Sequence, residues 1–139
     1  FREVLEVARR PFVASHSNAR SVCPHPRNLA DWQVREMADR GCLIGLNYYA
    51  PFLRADGEPA VLDDLCRHAE HLLSLGAGDC LALGSDFDGA DLPPCLDCCG
   101  KVPGLIRLLT DRLGQEQAEK IAWRNAMDFF QKNMAEIPA

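Results

Sequence analysis

An imidazole and two carboxylates stand in this chain where parallel folds do chemistry. Asp86 and Asp88 lie in the run Leu83-Gly84-Ser85-Asp86-Phe87-Asp88-Gly89, directly after the short apolar segment Cys80 to Leu83. His16 follows Pro11-Phe12-Val13-Ala14-Ser15 in the same way. In parallel α/β folds the reacting groups gather in the loops after the carboxyl ends of strands, so two strand ends offer an imidazole and a carboxylate to a common rim. An imidazole fixed by a strand is a common ligand for zinc; taken by itself, His16 between Ser15 and Ser17 reads more readily as a hydrogen-bonded loop residue than as a ligand. A carboxylate beside it can take up one proton as general base and return it as general acid.

The elements that must carry these groups alternate between strand and helix. Pro11 to Ser15 reads as the first strand, followed by a polar loop from His16 to Asn28 in which Pro24 and Pro26 forbid helix. A helix is predicted from Leu29 to Arg40, opened by Asn28 with Asp31 as its capping partner and closed by Gly41. Cys42 to Tyr48 is a near-continuous apolar run, typical of a strand covered on both faces. After a loop holding Pro51 and Gly57, helix resumes near Pro59, with Leu62, Leu65, Ala69, Leu72 and Leu73 at helical spacing. Gly76 and Gly78 end it, and the third strand leads to Asp86. Beyond a proline- and cysteine-rich loop from Ala90 to Gly100, two helices follow, the first from Leu105 to Leu113 and the second carrying Ala118 to Phe130.

Composition narrows the classes. At 139 residues and 47% hydrophobic, the chain can bury one core of ordinary size. Fifteen basic against twenty acidic residues, a net charge of −5, and the lack of a basic stripe argue against nucleic-acid binding. No apolar run approaches the roughly 18 residues of a membrane span. The chain opens without methionine, inside an amphipathic pattern, which predicts that more sequence precedes Phe1. Of seven cysteines, Cys42, Cys66 and Cys80 fall within apolar patterns as small hydrophobes. Free thiols favour a reducing compartment, and the expectation is cytoplasmic. Cys95, Cys98 and Cys99 contain one C-x-x-C without a second ligand pair, so they read as loop thiols rather than a zinc site.

Other polar residues have plainer readings. Asp88 is expected to bond backbone in the turn that Gly89 completes. His68 and His71 sit on a helix far from any strand end and read as packing or helix-face residues, and His25, between two prolines, as loop. Asp63 and Asp64 complement a helix start. Trp32, Trp123, Phe129 and Phe130 are expected in core or barrel-bottom packing, and Tyr48 and Tyr49 near the rim.

Four stretches together carry a resemblance. They are Val13-Ala14-Ser15-His16-Ser17-Asn18-Ala19-Arg20, Arg27-Asn28-Leu29-Ala30-Asp31, Leu46-Asn47, and Gly84-Ser85-Asp86-Phe87-Asp88-Gly89. Across nearly the whole chain, their order and spacing resemble the C-terminal part of the renal or membrane dipeptidase family of metallopeptidases. The resemblance implies a zinc-dependent hydrolase cleaving dipeptides on a (β/α)₈ barrel, with two metal ions bridged by a carboxylate and a water. It places His16 as a histidine on the metal pair and Arg27 as the arginine that receives the substrate's free carboxylate. Asp86 becomes the aspartate beside the bridging water and the substrate nitrogen. A guanidinium pairs two-point with a carboxylate, which would select substrates ending one residue beyond the scissile bond.

That family's upstream His-x-Asp pair, bridging glutamate and first metal-binding histidine have no counterpart here, and such a barrel needs about 250 residues. The expected fold is therefore α/β, the C-terminal part of a TIM-like barrel, with about three parallel strands and covering helices in a single segment from 1 to 139. By itself it is expected to be inactive, with a dipeptide substrate and the missing N-terminal half, or another copy of the chain, as partners. The alternative is a stand-alone, non-catalytic α/β module in which Gly84 to Gly89 forms a loop for a divalent ion such as magnesium.

Overall fold

A computed structural model describes residues 1–134. The strands are β1 (Val13–Ala14), β2 (Leu43–Leu46) and β3 (Leu81–Leu83); the helices are α1 (Arg2–Val7), α2 (Asp31–Asp39), α3 (Ala50–Leu53), α4 (Leu62–Ser74), α5 (Val102–Leu113), α6 (Gln115–Glu119) and α7 (Asn125–Met134). The strands form one parallel sheet in the order β1-β2-β3, with Val13 opposite Leu43 and Ile44 opposite Leu81. β2 is buried at all four positions, which is why its sequence is apolar without alternation. The predicted α/β segment with three parallel strands is thus the observed one.

The strands are shorter than their apolar runs because the flanking backbone is used elsewhere. Phe12 donates its N–H to Cys42 Sγ at 3.4 Å, and Ser17 donates to the Gly45 carbonyl at 2.7 Å, so β1 turns off the ladder at Ser15. Helix α2 begins at Asp31 rather than Leu29, and Asn28 is not its cap. The Asn28 amide is buried and donates to the carbonyls of Cys23 and Phe52 at 2.9 and 2.8 Å, while Gln33 accepts the Ala30 N–H at 2.8 Å. Asp31 instead accepts from Ser21 Oγ and His71 Nε2. Helix α4 starts at Leu62, where Asp64 accepts the Val61 N–H at 2.9 Å, the reach-back of a capping box. Of the predicted stripe, Leu65, Ala69 and Leu72 are buried, together with Asp64, Cys66 and His68, while Leu62 and Leu73 are half-buried.

Gln115 to Met134 is one helical run, interrupted by a π turn at Lys120–Arg124. Asn125, just after that turn, donates to the carbonyls of Gly78 and Leu81 and ties α7 to the start of β3. Of the aromatic residues expected in core or barrel-bottom packing, Trp32, Trp123 and Phe130 are 44%, 54% and 44% exposed. Phe1 meets the Trp32 ring edge-on. All seven cysteines are free, and Cys42, Cys66 and Cys80 are buried, as their apolar settings predict.

Candidate active site

Three chain segments reach the same mouth at the carboxyl ends of the strands. Gly45 on β2 and Gly84 after β3 approach so closely that a β-carbon on either would overlap the Ser15 carbonyl oxygen; one at Gly45 would also lie 2.9 Å from Gly84 Cα. Hydrogen in place of a side chain lets the strand ends converge. The residues next in sequence, His16 and Asp86, therefore enter a common cleft of about 430 Å³, with Arg27, Tyr49 and Phe52 and with Gly89 to Asp91 along one side.

The hydrogen bonds of His16 define its tautomer. Its Nε2 lies 3.2 Å from Arg27 NH2, a group that can only donate, so Nε2 accepts and the ring proton sits on Nδ1, donated to Ser15 Oγ at 2.8 Å. The Nε2 lone pair therefore faces the cleft, in the form that ligates a metal, and Ser15 orients the ring from behind. Arg27 also lies over the Phe52 ring, 6.0 Å from its centroid. His25 stacks on the far side of this wall, 4.4 Å from Phe52. It lines a neighbouring cleft with Cys23, Pro51 and Arg54, where Arg54 is already paired with Asp56 and the buried Asp64.

Asp86 has φ +73°, a left-handed backbone unusual for a residue with a β-carbon. Asn47 Nδ2 donates to its Oδ2 at 3.1 Å. The Asn47 amide is itself fixed, because its Oδ1 accepts the Tyr49 N–H at 2.6 Å. Asn18 grips the Asn47 backbone twice, donating to its carbonyl and accepting its N–H, both at 2.9 Å. Behind this pair, His68 is fully buried on α4, accepting the Ala19 N–H at Nδ1 and facing the Leu53 carbonyl with Nε2. It joins the His16 loop to α3. Burial pulls its pKa down to about 4.

His16, Arg27 and Asp86 are thus brought together. Asp88 is exposed and absent from the cleft lining, and Tyr48 is buried against Phe87 rather than at the rim; its neighbour Tyr49 lines the cleft. The supporting amides of Asn18 and Asn47 had one sequence signal, their place in the stretches that carry the family resemblance. Among the described residues no three His, Cys, Asp or Glu side chains are gathered as a metal cage. Cys95, Cys98 and Cys99 accordingly form no such group.

An imidazole with a free lone pair, a carboxylate and a guanidinium thus meet at the ends of parallel strands, the place where α/β barrels carry their sites. Comparison with known proteins makes the assignment specific. The family model described as membrane dipeptidase, peptidase family M19, matches residues 1–136, and the chain belongs to that family. It is 42% identical over 132 residues to a Klebsiella pneumoniae protein described as uncharacterised and encoded in the pqqA 5′ region, covering 90% of this chain and 48% of that one.

Among solved structures, dipeptidase AC, a metallopeptidase of family M19, superposes with a TM-score of 0.87 at 30% identity over 94% of this chain and 40% of its own. A Rhodobacter sphaeroides metallopeptidase, solved with a phosphinate mimic of L-Ala-D-Ala, gives 0.85 at 30% identity over 94% and 38%. The chain spans about half the length of that curated relative and about two fifths of these structures. Its three strands correspond to part of their fold.

Proposed function

We propose that this chain is the C-terminal portion of a zinc-dependent dipeptidase, in which His16 binds zinc, Asp86 moves the proton and Arg27 anchors the substrate. The observation that carries this reading is the shared cleft of the three side chains, delivered by two separate segments, the loop after β1 and the loop after β3. His16 fits a metal through its unprotonated Nε2, while the remaining ligands of a two-ion site would come from the rest of the protein. When bound, zinc supplies Lewis acidity toward a peptide carbonyl and makes a water ionisable near neutral pH.

The chain's own residues would do the rest. Asp86 accepts a proton from the attacking water at a carboxylate oxygen and returns it to the departing amine. Arg27 has His16 Nε2 as an acceptor in this structure, and its guanidinium would form a two-point pair with the substrate's terminal carboxylate. Phe52 and Tyr49 wall the cleft and hold that guanidinium against an aromatic face. Substrate length is then set by the span from Arg27 to Asp86. The other part of the barrel, from the same protein or a second copy, would close the sheet beyond β1 and β3.

The test is hydrolysis of a dipeptide such as L-Ala-D-Ala by the protein extended to the length of its relatives, stripped of metal and then reloaded. Zinc-restored cleavage of the dipeptide, with an N-terminally matched tripeptide left intact, is expected. Equal rates with and without metal would overturn the reading. So would metal-dependent activity of residues 1–139 alone, because one ligand histidine does not hold the proposed centre.

A further inference from the structure

We propose that Asn47 and Gly89 are positioning residues that lock the Asp86 carboxylate into its working orientation; the inference rests on the dipeptidase reading and adds to it how the proton-carrying group is held. Two independent contacts point to this. From one side Asn47 Nδ2 donates to Oδ2 at 3.1 Å, and that amide cannot flip, because the Tyr49 N–H occupies its oxygen. From the other side Gly89 comes so near Oδ1 that a β-carbon there would lie 2.5 Å away. The Gly89 N–H also closes the turn onto the Asp86 carbonyl at 3.2 Å.

The carboxylate is therefore bounded at both oxygens. The left-handed backbone at Asp86, φ +73°, is what aims it. Such a conformation costs about 1–3 kcal/mol and persists where its surroundings hold it. Here the holder is traceable through the fold. Asn47 is completely buried, its backbone clamped by the equally buried Asn18, so the amide that meets Asp86 is fixed to β2 and to the loop that carries His16. A buried polar network of this kind pays off in orientation rather than in bulk stability. Asn47 thereby couples the group that moves the proton to the segment that carries the proposed metal ligand, without itself touching substrate.

The full-length, zinc-loaded protein and its Asn47→Ala, Asn47→Asp and Gly89→Ala variants test this. Asn47→Ala and Gly89→Ala should lower kcat about 100-fold, the loss expected for a misplacement near 1 Å, with KM changed by less than about threefold. Asn47→Asp keeps the shape but sets a second carboxylate against Asp86. The two then share a proton, and the acid limb of the kcat/KM profile moves to higher pH by about one unit or more. A merely structural Asn47 predicts a lower melting temperature and proportional loss of active protein with an unmoved pH profile, and that result overturns the proposal.

Crystal structures of Asn47→Ala and Gly89→Ala read the same claim without activity. The Asp86 carboxylate should leave its present position, and finding it unmoved in both overturns the proposal. If the parent protein cleaves no dipeptide, the dipeptidase reading fails, and the crystallographic comparison decides the positioning of Asp86 alone.

Discussion

At the scale of single residues, Arg27 gives the sharpest prediction because it serves binding rather than chemistry. Replacing it with methionine keeps length and contact with Phe52 but removes the charge and the planar fork. In the full-length protein, losing a charge-assisted hydrogen-bonded pair costs about 1.5 kcal/mol, so KM for a dipeptide should rise roughly tenfold while kcat changes little. Initial-rate kinetics measure the split, and an equal loss in kcat with constant KM would place Arg27 elsewhere in the reaction. His16 and Asp86 were legible as rim residues because each follows an apolar run, while the roles given to them came from the family resemblance. Asn18 and Asn47 were not, since an amide's worth here lies in which neighbour each of its atoms faces, and that depends on residues 29 apart in the chain.

At the scale of elements, the helical stripe of α4 and the apolar run of β2 were readable from periodicity. The ends of the strands were not, because they are set by side-chain and loop acceptors such as Cys42 Sγ. The four-residue α3, with Pro51 in its first turn, was hidden by a proline that reads as a loop signal. Helix α4 also makes the fold acid-sensitive. His68 has a folded pKa near 4 against 6.5 for the free side chain. Arg67 and His71 disfavour its charge, while the Leu53 carbonyl and Asp64 favour it, and burial outweighs them all. Between those two pH values the unfolded chain binds more protons than the folded one. Stability is therefore full above about pH 6.5 and falls as pH drops toward 4, by an amount on the order of 3 kcal/mol. Denaturant melts at several pH values should show this slope flattened in His68→Gln. An unchanged slope would assign it to other groups. At the strand ends, Gly45→Ala forces a β-carbon into backbone atoms of both Ser15 and Gly84, a clash no side-chain rotation relieves. A loss of more than about 3 kcal/mol is expected, read by the same melts.

At the scale of the whole molecule, the sheet is three strands wide, and the outer sides of β1 and β3 have no further strand among the described residues. Open parallel edges recruit other strands. Residues 1–139 should show a mass that rises with concentration in sedimentation. A constant monomer mass at every concentration would show that helices and loops already shield these edges. The sequence did not show which helix faces stay bare: Trp123 and Phe130 look like packed residues, yet they are 54% and 44% exposed. No helix among the described residues is long and apolar enough to cross a membrane.

The cysteines divide in a way that has a practical use. Burial pushes the Cys66 thiol up to about 11 and Cys80 to about 12, and raises Cys23, Cys42 and Cys95 as well. Cys98 and Cys99 alone are exposed, on the same loop whose first residues, Ala90 and Asp91, border the cleft. Since the thiolate is the reacting form, a maleimide dye would tag this loop ahead of every other sulfur, giving an optical reporter of events at the mouth without an engineered attachment point.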